Sequence, residues 1–430
     1  MSRIGAVVRW PTGVCQGRAG TAAAGILAPV IALRLVVLAL GVALGVFYPF
    51  IPVILASRGF GPAQIGLVAS IGAIGFTLAV PAWGHIADVR LGRARTLQVC
   101  AIGGAVAVGA LLGPWPQIVI ALLFMAYWIF ESAWQPLGDA LTVNLVDRQG
   151  YGRVRLLTSL SFAISSIAAG FLYDAAGFDA AYILAVVAAL TIAVAASRVP
   201  DVARAELATS DHGPATPARS RAWLGSTGVA LRVAPRLGAV LIAVMLINIT
   251  IISGFTYLPL RLGDLGSPPS DVALSAGVSA IAEIPAMLVA ARVARWIGLR
   301  SLFVSSALLY GAVSASWIVL DSAPLIIATR LVSGVAFAWI LVCVVLTIAR
   351  LLPSELQATG QSLYQTFAFG LGAIVANLVG GVLYASIGHA AVFGLGGVLA
   401  VVAATMGWFV FPRDVRARRA PPPTGQSRAV

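Results

Sequence analysis

The chain has 430 residues, 60% of them hydrophobic and 10% charged, with a mean hydropathy of +0.97, and no water-soluble domain of this length hides so much apolar surface. The formal charge of +13 would suit nucleic acid in a soluble protein, but all 28 basic residues are arginines and nearly all lie between apolar runs, so they read as topology signals rather than a phosphate-binding face. Cys15, Cys100 and Cys343 are scattered, as are His85, His212 and His389, which argues against a disulfide framework and a zinc site.

Taken in chain order, residues 1–30 hold Arg3, Arg9, Trp10 and Arg18 without a short apolar region and cleavage site, and read as a cytoplasmic tail. Apolar stretches of about 20 residues, enough to cross a bilayer, follow at 31–55, 64–87, 96–113, 117–145, 154–174 and 179–198. A polar stretch rich in Pro, Ser, Thr and charge, within residues 199–235, reads as a cytoplasmic linker. Six more spans come at 236–261, 271–294, 300–320, 324–350, 357–385 and 390–411, and residues 412–430 form a second polar tail. The expected organisation is an all-α membrane protein of twelve transmembrane helices in two six-helix bundles, residues 31–198 and 236–411.

Arginine placement tests the count. With a cytoplasmic amino terminus, all 28 arginines but three fall in or beside cytoplasmic segments; Arg58 and Arg261 lie outside and Arg330 sits within span ten. Adding or removing one span scrambles that alternation. Both termini are thus expected in the cytoplasm, with the chain in the cytoplasmic (inner) membrane.

The halves repeat. PVILASRGFGPAQIG from Pro52 aligns without a gap on PLRLGDLGSPPSDVA from Pro259, pairing Pro52 with Pro259, Gly59 with Gly266 and Pro62 with Pro269. GFLYDAAG in span five matches GVLYASIG in span eleven through Gly170, Tyr173 and Gly177 against Gly381, Tyr384 and Gly388. Two duplicated bundles can rock about a central site, which implies transport rather than catalysis.

Together with the loop GHIADVRLGRAR at Gly84 to Arg95, these halves resemble the major facilitator superfamily. The resemblance covers nearly the whole chain outside the tails and linker, and implies the major facilitator fold of two pseudo-symmetric bundles. It further implies that Asp88 lies near the cytoplasmic start of span eleven, around residues 358–360, while Arg93 and Arg95 help hold the cytoplasmic gate shut; the competing reading is that the arginines only anchor topology. The loop departs from the usual pattern by one extra residue between Asp88 and Gly92, and its second-half counterpart, ARVARWIGLR from Ala291, lacks the acidic residue. FYPFIPVIL at Phe47, PLGDAL at Pro136, YGRVRLLTS at Tyr151 and AEI at Ala282 are similar to the phenylpropionate permease and nucleoside-proton symporter branch, with lactose permease a more distant cousin. Asp139, Arg153 and Arg155 fall in these motifs, as gating residues or as a structural ion-pair network.

Charges inside the membrane carry the mechanistic expectation, because each costs about 2.5–3.5 kcal/mol on insertion scales and persists where it is paired or functional. Glu131 lies about 15 residues into span four and Glu283 about 12 into span eight, which at about 1.5 Å per residue puts both near mid-bilayer. A carboxyl group removed from water holds a proton more readily, and one that faces each side in turn can couple solute movement to a proton gradient. The alternative for each is a structural carboxyl hydrogen-bonded between helices. Through AEI, Glu283 matches the span-eight acidic residue that in lactose permease handles substrate and proton. That family's His, its acidic residue in span ten and its Arg in span nine have no equivalents here. Three roles fit Arg330: balancing Glu283, binding an anionic substrate, or reaching toward the outer surface.

Tyr127, Glu131 and Trp134 share one face of span four, as do Asn248 and Phe255 in span seven and Gln361 and Gln365 in span eleven. Read as a cavity wall, they suit an amphipathic organic solute, whereas bundle packing explains each aromatic equally well. Prolines in FYPFIPVIL, and Pro259, are expected to kink spans one and seven. The chain contains no Lys, hence no nucleotide-binding loop, and no nucleophile grouping suggests an enzyme. The expected protein is a monomeric secondary transporter without cofactor, handling a small organic solute and a proton in contact with membrane lipid and not nucleic acid. Proton symport leads, with a proton-antiport exporter and a transport-inactive receptor or scaffold as alternatives.

Overall fold

A computed structural model describes residues 19–145, 148–200, 227–353 and 356–413. The expected tails and linker fall largely outside the described residues, as do the side chains of Arg153 and Arg155.

Ten helical stretches meet the length and hydropathy needed to cross a bilayer. One of them, Pro269–Val319, is two helices that meet at Gly298, where φ is 84°. A further helix, Arg93–Ala110, falls short of the hydropathy criterion because it begins with the loop arginines. The result is twelve spans: α1 Ile31–Ser57, α2 Pro62–Leu91, α3 Arg93–Ala110, α4 Gln117–Thr142, α5 Leu156–Ala176, α6 Asp179–Ala196, α7 Arg236–Asp264, α8 269–297, α9 299–319, α10 Ala323–Leu351, α11 Thr359–Ser386 and α12 His389–Val410. An even number of crossings puts the start of α1 and the end of α12 on one side, called here the termini side; the other is the far side.

The two six-helix bundles follow one plan. In the first, α1 packs on α5 and α6, α3 on α4 and α6, and α2 on α4; in the second, α7 packs on α11 and α12, α9 on α12, and α8 on α10. The bundles meet along α5–α8 and α2–α11, two seams that the pseudo-symmetry exchanges.

The repeated residues build the turns and the seams. Each positive-φ glycine among the described residues has a partner in the other half: Gly59 with Gly266, Gly92 with Gly298, and Gly177 with Gly388. Beyond the first of these pairs, Pro62 and Pro269 open α2 and α8 at the position where a helix does not miss an N–H. The repeated tyrosines hold corresponding corners. Tyr173 donates to the Val46 carbonyl and meets the Phe50 ring edge-on, while Tyr384 donates to Asp264 and stacks on Tyr257.

Arg58 and Arg261, at the far-side ends of α1 and α7, have related structural jobs. Arg58 donates to the carbonyls of Leu111 and Gly113 beyond α3, at 2.9 and 3.2 Å. Arg261 donates to the Leu320 carbonyl beyond α9 and pairs with Asp321. Each ties the end of its half's first helix to the loop after the third.

Three irregularities have local causes. Pro49 and Pro52 turn α1 into a 3₁₀ segment at Tyr48–Phe50, as expected for span one; α7, by contrast, runs as a single helix through Pro259. The break in α4 between Glu131 and Trp134 comes where Pro136 has no N–H to offer the Ser132 carbonyl. At the end of α2, Ala87–Leu91 forms a π-turn. A π-turn is one residue wider than an α-turn, so it absorbs the extra residue before Gly92.

Candidate functional site

Between the bundles lies a cavity of about 280 Å³ bounded by α1, α5, α7, α8 and α10. Ser275, Ser279 and Glu283 stand on one face of α8 at successive turns, and Arg330 and Phe337 on one face of α10. Phe255 comes from α7, Tyr48 and Pro49 from the proline turn of α1, and Thr158, Ser159 and Phe162 from α5.

Arg330 is held on all sides and is only 3% exposed, so it does not reach toward the surface. Its Nε donates to the Ser275 carbonyl at 3.3 Å and Nη1 to Ser333 Oγ at 2.9 Å. The guanidinium lies over the rings of Phe255 and Trp317, 5.6 and 5.8 Å from their centroids. Such a cation is fixed in direction before any solute arrives. Glu283 accepts a long hydrogen bond from Ser279 Oγ, 3.4 Å away, and makes no ion pair with Arg330. The cavity therefore holds one carboxylate and one guanidinium, tethered separately, with hydroxyls and aromatic faces between them.

Phe255, Glu283 and Arg330 are thus brought together, and the remaining candidates lie elsewhere. Tyr127 and Trp134 belong to the aromatic core of the first bundle with Phe47 and Phe124, and their Oη and Nε1 have no partner among the described residues. Glu131, 6% exposed, sits at the α4 break between them, within electrostatic reach of Tyr48. Asn248 is buried in the second bundle, donating to the Val244 carbonyl at 2.9 Å. Gln361 and Gln365 precede the π-turn Thr366–Leu371 of α11, outside the cavity wall.

Among the gating candidates, Asp88 pairs with Arg93 Nε at 3.6 Å inside its own loop. Arg95 is exposed, and Asp139 accepts from Gln135 Nε2 at 3.1 Å. Ser275, Ser279, Phe337 and Tyr48 were missed. The first three share a helix face with Glu283 or Arg330, a signal present in the sequence once those two are chosen; Tyr48 enters through a proline turn that periodicity does not describe.

The described contacts between bundles run from the far side down to mid-depth. Gly381 meets Pro62, Ala63 and Gly66, and Gly170 meets Pro269, Ser270 and Ala273; deeper in, Thr77 approaches Gly370 and Ala163 approaches Gly277.

A largely apolar cavity with a few placed polar groups, set between two six-helix bundles of one plan, is the arrangement of a multi-pass membrane transporter. The profile described as MFS_1 like family matches residues 31–395, and the chain belongs to that family of major facilitator transporters. It is 28% identical over 349 residues to the maltose permease of Geobacillus stearothermophilus, covering 79% of this chain and 84% of that protein. It is 24% identical over 353 residues to the uncharacterized transporter YwbF of Bacillus subtilis (strain 168), covering 79% and 82%. Among solved structures, the nucleoside transporter NupG (D323A mutant) superposes with a TM-score of 0.75 at 15% identity, covering 89% of this chain and 99% of that one. The D-xylose-proton symporter does so at 0.68 and 15%, covering 91% and 99%. These structural likenesses concern the fold.

Proposed function

We propose that this transporter is a proton-coupled symporter of a small, hydroxyl-rich organic solute, lying in the cytoplasmic membrane with both termini in the cytoplasm. The reading rests on Glu283, a carboxylate that shares the cavity with Arg330, within its electrostatic reach but without a direct ion pair to it. Protonation removes the charge of Glu283 and lets its carboxyl donate as well as accept. A solute hydroxyl bridging Glu283 and the Arg330 guanidinium would then make solute and proton binding mutually dependent, while Phe255 and Phe337 offer apolar faces to a ring. A neutral sugar or nucleoside has that mixture of hydroxyls and ring face, and the names of the maltose permease and of the structural neighbours favour the same class. The arginine distribution supports the orientation.

The test is uptake into proteoliposomes under an imposed pH gradient, with labelled maltose, xylose and uridine as probes. Accumulation of one of them that collapses with an uncoupler is expected, and Glu283→Gln should retain exchange while losing gradient-driven accumulation. Uptake indifferent to the gradient, or unaltered coupling in Glu283→Gln, overturns the proposal.

A further inference from the structure

The two seams are images of each other, but at the far-side rim a polar contact breaks the symmetry. On the far side, Asp174 Oδ1, in the last turn of α5, accepts a hydrogen bond from the Ser270 backbone N–H of α8 at 3.0 Å. One bundle thereby caps a helix of the other. No side chain caps this end of α8 from its own bundle: Pro268 occupies the cap position, Pro269 has no N–H, and the Asp271 N–H returns to the Pro268 carbonyl. At the matching end of α2, Gln64 Oε1 accepts from the Gly61 N–H at 2.9 Å, within the same bundle. Aligned on the repeat, Asp174 corresponds to Ala385 of α11, whose methyl group offers no acceptor to α2.

We infer that Asp174 is the positioning residue that holds the far-side gate shut, capping α8 in trans only while the bundles are closed there. The physical basis is differential. A carboxylate at a helix amino terminus satisfies a free donor and meets the positive end of the helix dipole, and this interaction exists in one state of the transport cycle and is lost in the other. Tyr173, bonded to the Val46 carbonyl, fixes the end of α5 to the first bundle, so Asp174 cannot follow α8 when the seam parts. Beneath the carboxylate, Gly170 lets the helices approach until Ala273, Ser270 and the Pro269 carbonyl crowd the space a Cβ would take. The small-residue contact sets the distance and Asp174 adds the state-dependent tie. The inference involves neither solute nor coupling ion, so it stands or falls independently of the symport reading.

Spin-label distance measurements on the full chain in nanodiscs test it, with Cys15, Cys100 and Cys343 replaced by alanine. Labels at Leu112→Cys and Ile387→Cys report the far side, and labels at Arg95→Cys and Arg295→Cys the termini side. A cap of this kind is worth roughly a fivefold population ratio. Asp174→Ala, which copies the second-half residue, should raise the long-distance far-side population by about that factor and raise the short-distance termini-side population in step. Asp174→Asn keeps an acceptor and loses the charge, so it should shift both populations in the same direction by less, and it carries the test alone if the alanine variant misfolds. Distributions unchanged in the alanine variant, or in the asparagine variant where that one stands alone, overturn the inference. So does far-side widening without the reciprocal termini-side shortening, because that is general loosening rather than a shift between gates.

Discussion

At the α5–α8 seam Gly170 lies against Pro269, Ser270 and Ala273, and at the α2–α11 seam Gly381 lies against Pro62, Ala63 and Gly66, residue for residue the same arrangement. The polar ties differ in depth. The first seam is tied at its rim by Asp174 and has Gly277 deeper in, whereas the second has Ala385 at the rim and Ser70 deeper in, whose Oγ reaches the Ile374 carbonyl at 3.2 Å. The bundles diverge likewise in their charges: Asp88 and Arg93 pair in the first-half loop, while Glu283 and Arg330 face the cavity from the second half. Duplication preserved the small-residue contacts that let the bundles close, because any side chain there collides. Polar groups were free to specialise, since each needs only one partner.

That contrast can be broken most severely at the shared glycines. Gly170→Leu and Gly381→Leu should each prevent far-side closure, because even a Cβ would press on the Ala273 methyl or on the Pro62 carbonyl and Gly66. Overpacking of about 1–3 kcal/mol corresponds to a shift of roughly 5–150-fold between states, read as a far-side distance distribution fixed at its long value and as lost uptake. If one glycine tolerates leucine and the other does not, the seams are not equivalent in function.

The carboxylates sharpen the comparison next. Glu283→Gln should abolish gradient-driven accumulation while exchange persists, because a carboxamide cannot load and release the coupling proton. Glu131→Gln, outside the cavity wall, should act less on coupling than on the thermal midpoint; equal loss of coupling in both would place the proton site across the two bundles. Arg261→Ala should lower stability by about 1–2 kcal/mol, because it strips a buried guanidinium from the Leu320 carbonyl and Asp321, and Arg58→Ala should do the same at the α3 loop; thermal unfolding of the two variants measures whether the ties are equally strong. Ser70→Gly, which copies Gly277, should open the second seam by a few-fold at most, a neutral hydrogen bond being worth about 1 kcal/mol. The smallest effect is expected for Asp88→Asn. Its pair with Arg93 is half-exposed, so the thermal midpoint should move by less than about 0.5 kcal/mol allows, and a large drop would mean that Asp88 has a partner in another state of the cycle.

Much of the architecture was legible residue by residue. Span count follows from hydropathy, although α3 passes only through its place between the Gly92 turn and the arginine-poor far side, and the α8–α9 boundary is a direct helix-to-helix turn at Gly298, flanked by Arg295 and Arg300. The repeat found Gly59, Gly177, Pro62 and their partners, and the structure supplies the reason each is kept. The site was only partly readable. Glu283, Arg330 and Phe255 share the cavity, while Tyr127, Trp134, Asn248, Gln361 and Gln365 obey the same helical spacing and face elsewhere.

Sequence alone determined what depends on one residue or one helix: which segments leave water, where a backbone must turn through positive φ, where proline starts or interrupts a helix, and that the two halves share a plan. Only the tertiary structure decided which face of each helix looks into the cavity, that Arg330 is clasped by Ser275, Ser333, Phe255 and Trp317, and that Asp174 serves a helix of the opposite bundle. Helical periodicity tells which residues share a face but not how that face is turned, because the rotation of each helix is set by packing against neighbours far away in the chain.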